Sequence, residues 1–469
     1  MSDLKTIKHV FLLGIGGIGM SALARYFKSA GMEVCGYDKT PTPLTKELVS
    51  EGINVIYEDR VSALPEFVSG RGVNPEALVI FTPAIPKDHQ QYNHLLSCGY
   101  RLWKRSEVLG LLTKGSPTIA VAGTHGKTTT STMVAHILRH TGVNCTAFLG
   151  GISKNYGTNL LLGNREISGE IIVVEADEFD RSFLTLHPDI AVITSLDADH
   201  LDIYGDHNSM VTSYRQFAGQ VKPTGTLIYK SGLPLGDIPV KSMTYSIEGQ
   251  ADFMATNIRV ENSNYVFDLT HNGKTIPQFI LSWPGRHNVE NALAASAACY
   301  LHGIPFEEIK SAMYAFSGVH RRFDYQVRNS EVVYIDDYAH HPEELKATIL
   351  SAKELYPGRK ILGIFQPHLY TRTRDFADGF GASLSLLDEL LLLDIYPARE
   401  LPIEGVTSEI ILNRVTIPAK GIVSKADLVA QVLKSDANIV ITLGAGDIDT
   451  LVNPLKSALE TKFQITAAG

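Results

Sequence analysis

Thr118-Ile119-Ala120-Val121-Ala122-Gly123-Thr124-His125-Gly126-Lys127-Thr128-Thr129 runs from a short strand-like stretch into a loop bounded by two glycines and then into a polar helix start. Strand, glycine loop and helix in this order turn backbone N–H groups and a helix N-terminus toward a bound phosphate. A full G-x-x-x-x-G-K-[ST] spacing needs glycine at position 121, where Val121 stands, so the loop is a shortened relative of that motif. Its chemistry survives the shortening. Amides around Gly126 can cradle a β-phosphate, the Lys127 ammonium can reach the β and γ oxygens, and the Thr128 hydroxyl can ligate Mg2+. Gly123, Thr124, His125, Gly126, Lys127, Thr128 and Thr129 are therefore the candidate ATP-binding residues of an α/β protein.

Nearer the N-terminus, Gly14-Ile15-Gly16-Gly17-Ile18-Gly19 follows the strand-like His9–Leu13 and precedes a helical stretch, Met20–Ala30. Glycine there lets a backbone approach a diphosphate closely. Asp38, just past a second strand at Glu33–Tyr37, stands where a ribose-binding carboxylate belongs in a dinucleotide site. Taken alone this favours NAD. The chemistry it shares more widely is a diphosphate and a ribose, which NAD and a UDP-sugar both carry, and two such loops imply two separately bound phosphate-bearing molecules.

With 469 residues, 44% hydrophobic and 20% charged, the chain is too long for one core and is neither disordered nor fibrous. Its 42 Lys and Arg against 50 Asp and Glu give a net charge of −8, and no basic run interleaves with aromatics, which excludes nucleic acid as a partner. Cys35, Cys98, Cys145 and Cys299 form no CxxC pair, so neither a zinc site nor a disulfide framework is expected and a reducing cytoplasm fits. Lys5, Lys8 and His9 before the uncharged Val10–Ala24 imitate an export signal, but Gly14, Gly16, Gly17 and Gly19 break the required helix. No other window offers the ~18 apolar residues of a membrane span, so no membrane insertion is expected.

Apolar runs alternate with helical segments throughout, the pattern of βα units on mostly parallel sheets. Further strands are expected at Asn54–Tyr57, Ala77–Phe81, Ile171–Val174, Ala191–Thr194, Glu331–Ile335, Lys360–Phe365, Leu390–Leu393 and Asn438–Leu443. The Gly115-Ser116-Pro117 break and the charged segment around Gly318–Tyr325 divide the chain into domains at 1–113, 114–320 and 321–469.

Other strand ends carry chemistry. Glu175-Ala176-Asp177-Glu178-Phe179-Asp180 follows one strand, and Asp197-Ala198-Asp199-His200 follows another. Some of the first group read as a solvated acidic loop; Glu175, nearest the strand, and His200 read with Thr128 as a hard-metal site. Pro284 to Asn291 begins an Ala-rich helix in which capping explains Asn288 but leaves Asn291 without a structural excuse. Val319 to Asp324, Asp336 to Pro342 and Gln366 to Asp375 are rich in Arg, His and Asp and suit anions.

In this order, GIGGIGMS, GTHGKTTT, EADE, DADHLD, GRHNVEN, HRRFD, DDYAHHP and FQPHLYTRTRD resemble the Mur ligases of peptidoglycan synthesis over nearly the whole chain. The resemblance implies a Rossmann-like N-terminal domain for a UDP-sugar, a central P-loop ATPase-like domain on a mostly parallel sheet, and a Rossmann-like C-terminal domain that closes over ATP and an amino acid. The implied cytoplasmic reaction joins L-alanine to the lactyl carboxylate of UDP-N-acetylmuramate through an acyl phosphate, with ATP consumed and two Mg2+ ions engaged, in a monomer or homodimer. On this similarity Gly14, Gly16, Gly17, Ile18, Gly19 and Asp38 bind the UDP-sugar, while Asn291, Arg322 and Asp337 join the loop residues around ATP. Thr128, Glu175 and His200 hold metal. Lys127, Glu175, His200, Arg372 and Arg374 serve catalysis, and His341 and His368 line the carboxylate and amino-acid pocket.

Several sister ligases use a carbamylated lysine after the metal histidine, but Asp202 to Val221 holds no lysine and Arg215 is its only strong base. Rival readings are a ligase that recycles a preformed murein peptide, an NAD-dependent dehydrogenase, which leaves the GKTT loop unexplained, and a nucleotide sensor without catalysis.

Overall fold

A computed structural model describes residues 4, 6–164, 167–197, 201–398 and 400–464, and only the backbone of Asp180, Leu201 and Asp202. His200 lies outside the described residues.

The first sheet is parallel, with strands β1 (His9–Leu13), β2 (Glu33–Tyr37), β3 (Asn54–Ile56), β4 (Ala77–Phe81) and β5 (Leu102–Lys104) in the order β3-β2-β1-β4-β5. The order reverses between β1 and β4, which opens a crevice at the glycine loop after β1. β1 is apolar on both faces because both are covered: Val10 and Leu12 enter one core, Phe11 and Leu13 another.

The second sheet contains β6 (Thr118–Ala122), β7 (Cys145–Ser153), β8 (Thr158–Leu161), β9 (Ile171–Glu175), β10 (Ile190–Ile193), β11 (Thr226–Lys230) and β12 (Ser242–Ser246), extended by β13 (Phe253–Glu261), β14 (Asn264–His271) and β15 (Lys274–Leu281). Its order is β15-β14-β13-β12-β11-β10-β6-β9-β7-β8. β6 lies at its centre between β10 and β9, parallel to both, so the ends of all three strands meet at one edge. The third sheet runs β16-β17-β21-β18-β19-β20, with β16 (Asp324–Arg328), β17 (Val333–Asp337), β18 (Ile361–Phe365), β19 (Glu389–Leu392), β20 (Lys420–Ile422) and β21 (Ile439–Leu443). Only the β16–β17 pair of this sheet is antiparallel.

The chain packs as two compact units: Met1–Thr256 with Asp268–Phe279 and Glu290–Ser317, and Asn257–Phe267 with Ile280–Val289 and Gly318–Gly469. In the first, one apolar core runs from Val10 and Phe27 through Ala120 and Val174 to Tyr214 and Phe217. In the second, Val332, Leu362, Ile364, Val440 and Leu455 form the centre. Each such aliphatic side chain contributes about 1.5–3 kcal/mol by its burial.

The other expected strands agree with the observed ones to within one residue at each end, and three larger differences bear on the site. The helix after the first glycine loop spans Ile18–Ser29, two residues earlier than expected, with Gly17 as its N-cap and no side-chain cap. The Ala-rich helix begins at Arg286, so Asn288 lies inside it and is no cap: its Nδ2 donates to Pro284 O at 2.6 Å. β17 is displaced toward the C-terminus and ends on Asp336 and Asp337, which makes both part of a strand.

Candidate active site

In the first unit the phosphate loop is shaped by two glycines that tolerate no replacement. Gly123 has φ +134°, and a Cβ there would overlap Thr194 Oγ1; Gly126 has φ +82°, and a Cβ there would overlap Asn291 Oδ1. Both angles lie in the region that side chains disfavour. Gly126 caps the helix Lys127–His140, which sets that helix's first amides at the loop. Hydroxyls after β10 fasten the loop. Ser195 Oγ accepts from His125 N–H at 2.8 Å and lies 2.9 Å from Thr124 Oγ1, which accepts from Asp197 N–H at 3.0 Å. Asn291 Oδ1 accepts from Thr130 Oγ1 at 3.2 Å, which gives Asn291 its place beside the loop. Thr128 and Thr129 are buried at the helix start.

Lys127 Nζ donates to Gly123 O at 2.7 Å and has both Glu178 carboxylate oxygens at 2.8 Å. Burial opposes the ammonium charge, but Glu178, Asp177 and Glu175 outweigh it and hold the lysine pKa above its ordinary value. Burial pushes Glu178 up to about 7 against the pull of Lys127. Glu178 is thus no solvated loop acid: it is 1% exposed and forms the counter-ion of the loop lysine.

The first glycine loop is held by its neighbours. Gly14 and Ile15 N–H donate to Tyr37 O at 2.8 and 2.9 Å, and Gly16 N–H donates to Asp38 Oδ2 at 2.7 Å. Asp38 Oδ1 also accepts from Thr40 N–H at 3.3 Å. Asp38 therefore braces the loop, its strand end placing the carboxylate directly under the Gly16 amide. Beside this loop lies a cavity of about 280 Å³, lined by the first helical turn at Ile18 and Gly19, by Thr82 and Arg105, and by Glu175 and Asp177. Glu175 Oε2 accepts from Gly150 N–H at 3.1 Å and faces this cavity. Arg105, unforeseen in the sequence, lies against Gly19 and pairs with Asp177 at 3.3 Å. The only signal for it is its place directly after β5, at the edge that carries the glycine loop. Arg215 donates to Pro234 O at 2.9 Å, a structural contact. Among the described residues no three His, Cys, Asp or Glu side chains cluster as a metal site, and the expected histidine ligand, His200, is outside them.

In the second unit, β17 ends in a polar cluster that separates neighbours expected together. Asp337 accepts from Phe323 N–H and Ala339 N–H at 2.8 Å each and from Thr348 Oγ1 at 3.1 Å. Burial pushes it up to about 6 against the pull of Arg322. Its oxygens thus tie the end of β17 to the segments at Phe323, Ala339 and Thr348. His341 caps the helix Pro342–Leu355, with Glu344 accepting from His340 and His341 N–H at 2.9 and 3.2 Å, so this histidine is fixed at a helix N-terminus. His340, singled out by no motif, lies beside His368 with ring centroids 6.1 Å apart, and Tyr396 stacks on His368 at 5.9 Å. Burial, outweighing Glu344, lowers His340 to about 3, so it is neutral. Arg322 lies 5.0 Å over the Tyr338 ring and 3.7 Å from Glu344. Arg372 is 9% exposed, whereas Arg374 turns out to pair with Asp375 at 2.6 Å; two residues apart on the helix Tyr370–Asp375, they cannot share a face. Leu369, at φ +68°, turns the chain between His368 and this helix.

Residues 9–116 match the model of the Mur ligase family catalytic domain, 121–299 that of the Mur ligase middle domain and 321–446 that of the Mur ligase glutamate ligase domain. The UDP-N-acetylmuramate–L-alanine ligase of Parabacteroides distasonis is 50% identical over 460 residues, covering 97% of this chain and 98% of that protein. That of Flavobacterium johnsoniae is 48% identical over 459 residues, covering 97% and 99%. The crystal structure of UDP-N-acetylmuramate–alanine ligase from Thermotoga maritima superposes with a TM-score of 0.81 at 27% identity, covering 97% of this chain and 99% of that one. With three successive family domains along its length and relatives half identical from end to end, this chain belongs to the Mur ligase family.

Proposed function

We propose that this chain is the ATP-dependent ligase that joins L-alanine to the lactyl carboxylate of UDP-N-acetylmuramate in peptidoglycan precursor synthesis, with release of ADP and phosphate. The observation that carries the reading is the acidic C-terminal end of β9 and the turn that follows it: Glu175 faces the cavity of the first glycine loop while Glu178 holds the lysine of the second. A UDP-sugar in the first loop and ATP in the second would thus meet at this strand end. The names of the half-identical relatives support the same substrates.

The chemistry asked of the protein is positioning and charge neutralisation. A lactyl oxygen attacks the γ-phosphorus and ADP leaves; the alanine amine then attacks the acyl carbon, phosphate leaves and the amine sheds a proton. Lys127 steadies the β and γ oxygens, and the amides around Gly126 carry the β-phosphate. Ile18 and Gly19, at a helix N-terminus, and Arg105 receive the diphosphate of the UDP-sugar. Thr128 and Glu175 are hard oxygen donors suited to Mg2+, with His200 as a further ligand and two ions in all; bound there, the ions neutralise phosphate charge. On the same reading Asn291, Arg322 and Asp337 serve ATP, and His341, His368, Arg372 and Arg374 the substrate carboxylates.

We place the enzyme in the cytoplasm as a monomer or homodimer; among the described residues no helix is long and apolar enough to cross a membrane. Phosphate release should require ATP, UDP-N-acetylmuramate and an amino acid together, and should be fastest with L-alanine among L-alanine, glycine and L-serine. Release with a murein tripeptide in place of L-alanine would favour the recycling ligase, and thermal stabilisation by NAD but not by ATP with Mg2+ would overturn the reading.

A further inference from the structure

Lys127 does not reach outward from the phosphate loop. Its ammonium donates to Gly123 O at 2.7 Å, lies 3.4 Å from Thr124 O and has both Glu178 oxygens at 2.8 Å. These acceptors fold the side chain back onto the loop that a nucleotide's phosphates would fill. The backbone that carries the glutamate is pinned. Glu178 backbone carbonyl accepts from Tyr204 Oη at 2.6 Å and from Arg181 N–H at 2.9 Å. The lysine side chain is 14% exposed and the glutamate 1%, so little water is at hand to take over either charge. Lys127 can turn to a phosphate only by leaving Glu178.

We propose that Glu178 is a positioning residue that competes with the phosphates of ATP and ADP for Lys127. It holds the ammonium while the loop is empty, yields it to the nucleotide, and reclaims it as ADP departs. The proposal rests on reading Gly123–Thr129 as the ATP loop. Competition of this kind weakens the binding of any ligand with a β-phosphate and speeds the release of product, while a ligand that ends at the α-phosphate escapes it.

The test is calorimetric binding of ADP and AMP to the full-length chain. Glu178→Gln keeps the shape and removes the charge; ADP should bind about tenfold tighter and AMP unchanged. Glu178→Asp, one methylene shorter, should tighten ADP less, and it answers the question if the glutamine variant does not fold. In a Lys127→Met background the same Glu178 substitution should leave ADP affinity unmoved, because the competitor has lost its object. Unchanged or weaker ADP binding in the Glu178 variants would overturn the proposal. So would tightening that persists without Lys127, which would mark simple repulsion between a carboxylate and phosphates. A wild-type chain that binds no ADP would overturn the ATP reading of the loop and this proposal with it.

Discussion

The Arg105 guanidinium lies on Gly19 so closely that a Cβ at residue 19 would overlap its Nη1, and from there it reaches the Asp177 carboxylate at 3.3 Å. What a side chain at 19 would disturb is thus this guanidinium, not the backbone angles of residue 19. Arg105→Ala should raise the KM for UDP-N-acetylmuramate by about tenfold or more through loss of a charge-assisted contact, with the KM for ATP within about threefold of wild type. Gly19→Ala, which pushes the guanidinium aside, should follow it. Steady-state phosphate release with each substrate varied decides the matter, and equal effects on both KM values would detach Arg105 from the first loop.

Gly123→Ala and Gly126→Ala should each abolish ATP binding, because each adds a strained backbone of about 1–3 kcal/mol to an overlap with Thr194 or Asn291. Lys127→Ala should lose turnover, a cost of about 3 kcal/mol or more in the barrier, and should lower the unfolding midpoint because Glu178 is left buried without its counter-ion. Calorimetry with ATP and single-turnover phosphate release separate these two outcomes. Retention of over about a tenth of wild-type kcat by the lysine variant would move the ATP site elsewhere.

Glu175→Gln should lose nearly all activity at any Mg2+ concentration, whereas His200→Ala should bind ATP normally and require about tenfold more Mg2+ for half-maximal rate. Rate against free Mg2+ for each variant provides the check. An unchanged Mg2+ requirement in His200→Ala would remove that histidine from the metal.

His136 is 3% exposed in the first unit; its Nε2 bonds Ala312 O at 2.9 Å and its Nδ1 Tyr156 Oη at 3.0 Å. Burial lowers it from 6.5 to about 4, so the folded protein holds it neutral. A depressed histidine contributes stability that is fully present above the unfolded value of 6.5 and is lost as pH falls toward 4, by up to about 1.4 kcal/mol per pH unit. The urea midpoint should therefore drop between pH 7 and pH 5, and His136→Gln should flatten that part of the profile. An equal drop in the variant would assign the effect to other groups.

Runs of β-branched and aliphatic residues made the parallel strands readable: β1, β2, β4 and β6 begin and end where their apolar stretches do. The glycine loops were readable for the same local reason. Burial within a polar cluster was not. Glu175 ends β9 and Glu178 lies in the turn that follows, and only the path of Phe179–Thr185, with Tyr204 beneath, decides that the second is enclosed against Lys127. His340 and His341 are adjacent, yet Pro342 at the first helical position marks His341 as the cap, a signal present in the sequence and left unused. Arg105 belongs to no motif; its role comes from β5 ending beside a loop far away in sequence.

The hydroxyls of Thr194 and Ser195 have a consequence for ionic strength. Thr194 Oγ1 donates to Ala122 O at 3.1 Å, and the Ser195 and Thr124 hydroxyls join His125 and Asp197 amides, so on the β10 side the phosphate loop is fastened by neutral groups. Added salt screens exposed charges beyond about 8 Å at physiological strength but leaves such short neutral bonds intact. An enzyme whose ligands are polyanions thereby keeps these fastenings of the loop in shape while salt weakens the attraction between the ligands and the charged side chains that meet them.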